Sequence, residues 1–161
     1  MAGDVGLTAI SFAIGSCDIA AGGAGNFGVA ELFNPSVTNP QATGSAIQAT
    51  LTGIIVFNTT AAANFKILKS ATATDVSTAA TAGPNWMDGR RADSALLTLK
   101  QGTPASTPGT EIARFPMNST ERLVIPFNWD LIQGQGLNFA IDVANQRVVF
   151  TPIWVERLQT S

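Results

Sequence analysis

Between Leu137 and Val143 the side chains alternate, with Leu137, Phe139, Ile141 and Val143 apolar and Asn138, Ala140 and Asp142 small or polar between them. A repeat of two belongs to a β-strand, whose successive side chains point to opposite faces, and it does not fit a helix of 3.6 residues per turn. One face is expected in the core and the other in water. The run ends at Ala144-Asn145-Gln146-Arg147, short enough for a hairpin turn, where Asn145 tolerates left-handed backbone. Val148 to Val155 follows as a second strand that is apolar on both faces: Val149, Ile153 and Val155 on one, Val148, Phe150 and Trp154 on the other. Such a strand is predicted to be covered twice, by the domain's own core and by a neighbouring subunit. Pro152 then has to sit at a bulge or at a position that donates no ladder bond.

Similar signals recur along the chain. Ala46 to Phe57 alternates through Ile47, Ala49 and Leu51, is interrupted at Gly53, where a bulge is expected, and continues as the buried run Ile54-Ile55-Val56-Phe57. Phe27–Phe33, Asn64–Lys69, Ala95–Lys100, Glu111–Phe115 and Glu121–Phe127 bring the count to about eight short strands with no long amphipathic helix. That pattern predicts an all-β fold, an antiparallel β-sandwich of jelly-roll-like form. Residues 70–84, almost wholly Ser, Ala, Thr and Gly, and residues 101–109, with Pro104 and Pro108, read as long loops. The first 25 residues are rich in Gly and Ala, with hydrophobic side chains at Leu7, Ile10, Phe12, Ile14 and Ile19. They are expected to form an extended N-terminal arm, residues 1–25, ahead of a sandwich domain at residues 26–161. Leu7, Ile10, Phe12 and Ile14 of the arm, with Val148, Phe150 and Trp154, are the expected interface with neighbouring copies.

Only 12% of the 161 residues are charged, against roughly a quarter in a typical soluble domain. A surface so poor in charge is expected to be covered in part by neighbouring subunits or filled by Thr, Ser, Asn and Gln. With a net charge of −2 and nine scattered basic residues, no electrostatic attraction holds a phosphate backbone, so no nucleic-acid partner is expected. No stretch approaches the ~18 uninterrupted apolar residues of a membrane helix. The apolar segment from Val5 to Ala21 lacks the basic start of a signal peptide and carries Asp18, with Asp4 just ahead of it. Cys17 is the only cysteine, so no intrachain disulfide forms.

The chain has no histidine, which removes the usual general base and the commonest metal ligand together. Catalysis would have to rest on paired carboxylates, and no acid spacing marks such a pair. No enzymatic activity, cofactor or metal is expected. Gly23-Ala24-Gly25-Asn26-Phe27-Gly28 matches G-x-G-x-x-G by letter, but it precedes a predicted strand instead of opening a helix. Asp88 and Asp93 flank Arg90-Arg91 without the alternating oxygens of a calcium loop, and read as a solvated turn. Asn58-Thr59-Thr60 and Asn118-Ser119-Thr120 are glycosylation sequons by pattern. Trp86, Trp129 and Trp154 are candidates either for a sugar-stacking platform or for core and interface anchors.

Pro126-Phe127-Asn128-Trp129, then Gly134-Gln135-Gly136-Leu137 opening a strand, Asn145 at the turn and Trp154-Val155-Glu156-Arg157 at the end form a pattern over Glu121 to Leu158. It resembles the last hairpin of small β-sandwich virion proteins of tailed bacteriophages, and Asn34-Pro35 and Asp88-Gly89-Arg90 fit the same group. The resemblance implies a structural protein located on the virion, an exterior head-decorating (capsid cement) component. The alternative is a tail or fibre component acting as a receptor- or glycan-binding module. Its implied partners are copies of itself, as a homotrimer, and other virion proteins such as the major capsid protein or tail components.

Overall fold

The computed structural model describes residues 9–20, 28–35, 46–70, 78–87, 97–102, 109–141 and 146–158. These residues form ten strands and a two-residue eleventh, with no helix among them: β1 Ala9–Ala20, β2 Gly28–Asn34, β3 Ala46–Asn58, β4 Ala63–Ser70, β5 Thr78–Ala79, β6 Ala82–Trp86, β7 Thr98–Gly102, β8 Thr110–Met117, β9 Arg122–Ile132, β10 Gln135–Ile141 and β11 Arg147–Leu158. One sheet runs β6-β1-β11-β3-β9 and the other β5-β7-β2-β10-β4-β8. All pairings are antiparallel. With β5, β6 and β7 set aside as an insertion between β4 and β8, the sheets read 1-11-3-9 and 2-10-4-8. The first strand of the chain lies beside the last, and the second beside the next to last. That wrapping is a jelly roll of eight strands, with the three inserted ones extending both sheets at the same side.

The core lies between the sheets and is built from alternate residues of each strand. Trp154 and Phe150 of β11, Leu51 and Ile54 of β3 and Leu131 of β9 meet Leu32 of β2, Leu137 and Phe139 of β10 and Ile67 of β4. Phe65, Phe139 and Phe150 stack across the gap, with the Phe139 and Phe150 ring centroids 4.3 Å apart. Sheets pack about 10 Å apart, a gap that such rings fill.

Two predicted irregularities fall where expected. The β3–β11 register shifts between Ile153 and Trp154, opposite Thr52-Gly53, so Gly53 does mark a bulge. The β1–β11 pairs are interrupted between Ile14↔Ile153 and Cys17↔Phe150, opposite Pro152, which has no N–H to donate there.

Three expectations are corrected. Residues 9–20 are not an arm: they form β1, hydrogen-bonded to β11 and β6, with Ala13, Cys17 and Ile19 buried in the core. Their Gly and Ala content reflects close packing, since a Cβ on Gly15 would lie 2.3 Å from Leu99 Cδ2 of the opposite sheet. The supposed loop at residues 70–84 carries β5 and the start of β6. Leu137 to Ile141 has no wet face, because β10 runs between β2 and β4, and Ala140 packs with Val29 and Leu68 in a second small cluster on the far side of the sheet. Val143, residues 1–8, the G-x-G-x-x-G stretch up to Phe27 and the Asp88–Asp93 turn lie outside the described residues.

The sheet-to-sheet crossings are held by buried asparagines. Asn58 donates from Nδ2 to the carbonyls of Ala61 and Asn118, both at 2.8 Å, tying the β3–β4 and β8–β9 crossings together. At the other end Asn34 Nδ2 donates to Leu131 O at 3.0 Å, and Gly134 N donates to Asn34 O at 2.8 Å. Gly134 takes φ 79°, a conformation in which glycine carries no Cβ penalty.

Candidate interaction face

Strand β11 is two-faced as predicted, but its faces are assigned the other way round. Val148, Phe150 and Trp154, expected at an interface, are fully buried inside the sandwich. The outward positions are Val149, Ile153 and Val155, each partly exposed. Burial of a tryptophan indole and a phenylalanine ring outweighs that of two valines and an isoleucine, which settles which face turns inward.

The outward face continues across four strands in register. Phe12 of β1 lies opposite Val155 of β11, and Ile14 opposite Ile153. Val149 lies opposite Phe57 of β3, and Ile55 opposite Val124 of β9. Phe12 is 53% exposed, Val124 63% and Ile132 52%, values that ordinarily belong to polar side chains. Phe12 and Ile14, singled out in the sequence as interface candidates, both lie on this face, on a strand of the sheet instead of an arm. Ile10 lies on the same strand, and Leu7 is outside the described residues.

Charged groups lie at the margins of this face. Arg147 meets Asp18 side-on through two hydrogen bonds, Nε donating to Oδ1 at 2.7 Å and Nη2 to Oδ2. The hydrogen bonds from Arg147 hold the Asp18 carboxyl below its ordinary range, against a smaller opposing effect of burial, and the same bonds raise the Arg147 value. Along β9 the outward side chains run from Arg122 through Val124, Pro126 and Asn128 to Asp130, which accepts from Thr50 Oγ1 at 2.5 Å, and end at Ile132. A shallow depression lined by Thr52, Pro126, Phe127 and Asn128 sits beside the Gly53 bulge.

Among the described residues no three of Cys, Asp and Glu come close enough to hold a metal ion. Glu111 is drawn to Arg114 at 2.8 Å and to Lys66 on the exposed side of the other sheet, which lowers its carboxyl value, chiefly through the Arg114 hydrogen bonds. Cys17 is buried, its thiol pushed up to about 12 by burial, and it donates weakly to Lys100 O at 3.9 Å. It fits a core role and not that of a nucleophile.

Trp154 and Trp129 serve the core. Trp154 is buried with its Nε1 donating to Glu156 Oε1 at 2.8 Å, and Trp129 packs against the core, stacked on Phe127 at 6.2 Å. Trp86 lies on β6. Asn58 is fully buried and bonded through its amide, so the first sequon presents no acceptor, whereas Asn118 is exposed.

No known family model matches the chain, and neither a curated protein nor a solved structure does.

Proposed function

We propose that the chain is a non-enzymatic structural protein of a tailed-phage virion, an exterior component that decorates the head. The observation carrying this reading is the apolar outer face of the β6-β1-β11-β3-β9 sheet. On a chain only 12% charged, an outer face where Phe12, Phe57, Val124, Ile153 and Val155 stand among threonines, with Asp18, Arg147, Arg122, Asp130 and Arg157 toward its ends, is a surface suited to protein contact. The jelly-roll wrapping supports the reading, because viral capsid domains use it, but lectin domains use it too, so the fold alone does not choose. The buried position of Trp154 and the core packing of Trp129 favour structural assembly over sugar stacking.

Mass spectrometry of purified particles tests the assignment: the chain is expected among the virion proteins. A Val124→Asp variant is expected to fold normally yet be depleted from particles, since it places a charge within the apolar face. A variant incorporated as efficiently as the wild type would show that the particle needs no contact made by this face.

A further inference from the structure

We infer that the outer face of the five-stranded sheet is a self-association surface, on which two copies of this chain pack face to face about a two-fold axis with their β9 strands antiparallel. This goes beyond the structural role proposed above, because it concerns the isolated chain and stands or falls without the virion assignment.

Size points to a second copy. Strands of about 11 residues at ~3.3 Å per residue, four abreast at ~4.8 Å, offer a footprint of roughly 700 Å² per copy. A standard protein–protein interface takes about 800 Å² from each partner, so this face is of the right extent. It is one face of one sheet, on which Phe12, Phe57, Val124, Ile153 and Val155 stand among Thr50, Thr52 and Thr151. A single patch buried against the same patch on another copy is an isologous contact, which closes as a dimer, whereas a cyclic trimer needs two different patches on each protomer.

Charge sets the orientation. Arg122 begins the outward row of β9 and Asp130 stands next to its last position, Ile132, with Pro126 midway between the two charges. Among the described residues Arg122 makes no salt bridge. A two-fold axis running across the strands at Pro126 brings each Arg122 toward Asp130 of the other copy, making two ion pairs at the rim while Phe57, Val124, Ile153 and Val155 are buried between the sheets. The edges are closed to the competing mode of lateral strand addition. β9 carries Pro126, β8 carries Pro116 and β6 carries Pro84, and β5 is only two residues long.

Sedimentation equilibrium of the full chain, with circular dichroism to establish folding, tests this. The wild type is expected at twice the 16.7 kDa chain mass, and Val124→Asp as a folded monomer. Arg122→Asp and Asp130→Arg each place like charges across the axis and are expected to weaken dimerisation at least about tenfold. Mixing the two variants sets opposite charges against each other at both rim contacts, and is expected to restore a heterodimer. A wild type that stays monomeric up to its solubility limit, or that forms a trimer, overturns the inference, as does a Val124→Asp dimer of wild-type strength. A mixture no tighter than either variant alone overturns the antiparallel arrangement. Particle composition is read separately, so a failure here is distinguishable from a failure of the virion reading.

Discussion

Trp154 and Glu156, two residues apart on the inward side of β11, are both fully buried, and the indole Nε1 donates to Glu156 Oε1 at 2.8 Å. The same oxygen accepts from Leu97 N at 3.0 Å, which fastens the segment entering β7 to the last strand of the other sheet. Glu156→Ala leaves two buried donors without this acceptor and is expected to cost about 2–4 kcal/mol of unfolding free energy. Glu156→Gln keeps an acceptor oxygen and is expected to cost less than half as much. Chemical denaturation of the two variants checks the ratio.

The alternation along β11 makes a second prediction. Phe150→Ala opens a cavity among Phe65, Phe139 and the surrounding core, and is expected to destabilise the chain by about 3–5 kcal/mol. Val149→Ala, one residue away but outward, is expected to cost about 1 kcal/mol or less in the monomer. Equal losses in thermal or urea melts would mean that the two faces are not inside and outside as described.

The Asp18–Arg147 pair makes stability depend on acid. Its hydrogen bonds lower the folded-state value of Asp18 below the ordinary carboxylate value of ~3.9. The stabilisation is therefore present in full above that ordinary value and is lost as pH falls through the lower folded value. Melting curves of the wild type and Asp18→Asn are expected to differ by a constant small margin from about pH 5 to 8, to draw together from about pH 4 downward and to meet only below the folded-state value. A margin that widens in acid would contradict the pairing.

Deleting residues 2–20 is expected to abolish folding, because it removes β1 from between β6 and β11 and exposes Trp154, Phe150 and Leu99. A truncated chain with a wild-type circular dichroism spectrum and cooperative melt would restore the arm interpretation.

Most of the sandwich was legible from residue spacing. The strands at Ala46–Asn58, Ala63–Ser70, Gln135–Ile141 and Arg147–Leu158 carry large β-branched or aromatic side chains at a period of two, and the Gly53 bulge was announced by the break in that period. β1 was not legible because three of its inward positions are Ala13, Gly15 and Cys17, small groups that leave Ile19 as the one large inward side chain among those described and give no hydrophobic rhythm until Leu99 is seen against them. β5 and β6 escaped for a related reason, since Thr, Ala, Gly and Pro dominate both. The candidate face was found on the right strand but turned the wrong way. Period alone says that β11 has two apolar faces; the larger side chains of Phe150 and Trp154, and the rings of Phe65 and Phe139 on the other sheet, decide that Phe150 turns inward.

If this jelly roll is a structural part of the virion's exterior, its copy number per particle is the most direct test. Quantitative mass spectrometry of purified particles, scaled to the major capsid protein, is predicted to find hundreds of copies of the chain in each. A handful of copies would put it in the tail or a fibre, and its absence from particles, with the chain present in the infected lysate, would contradict the account.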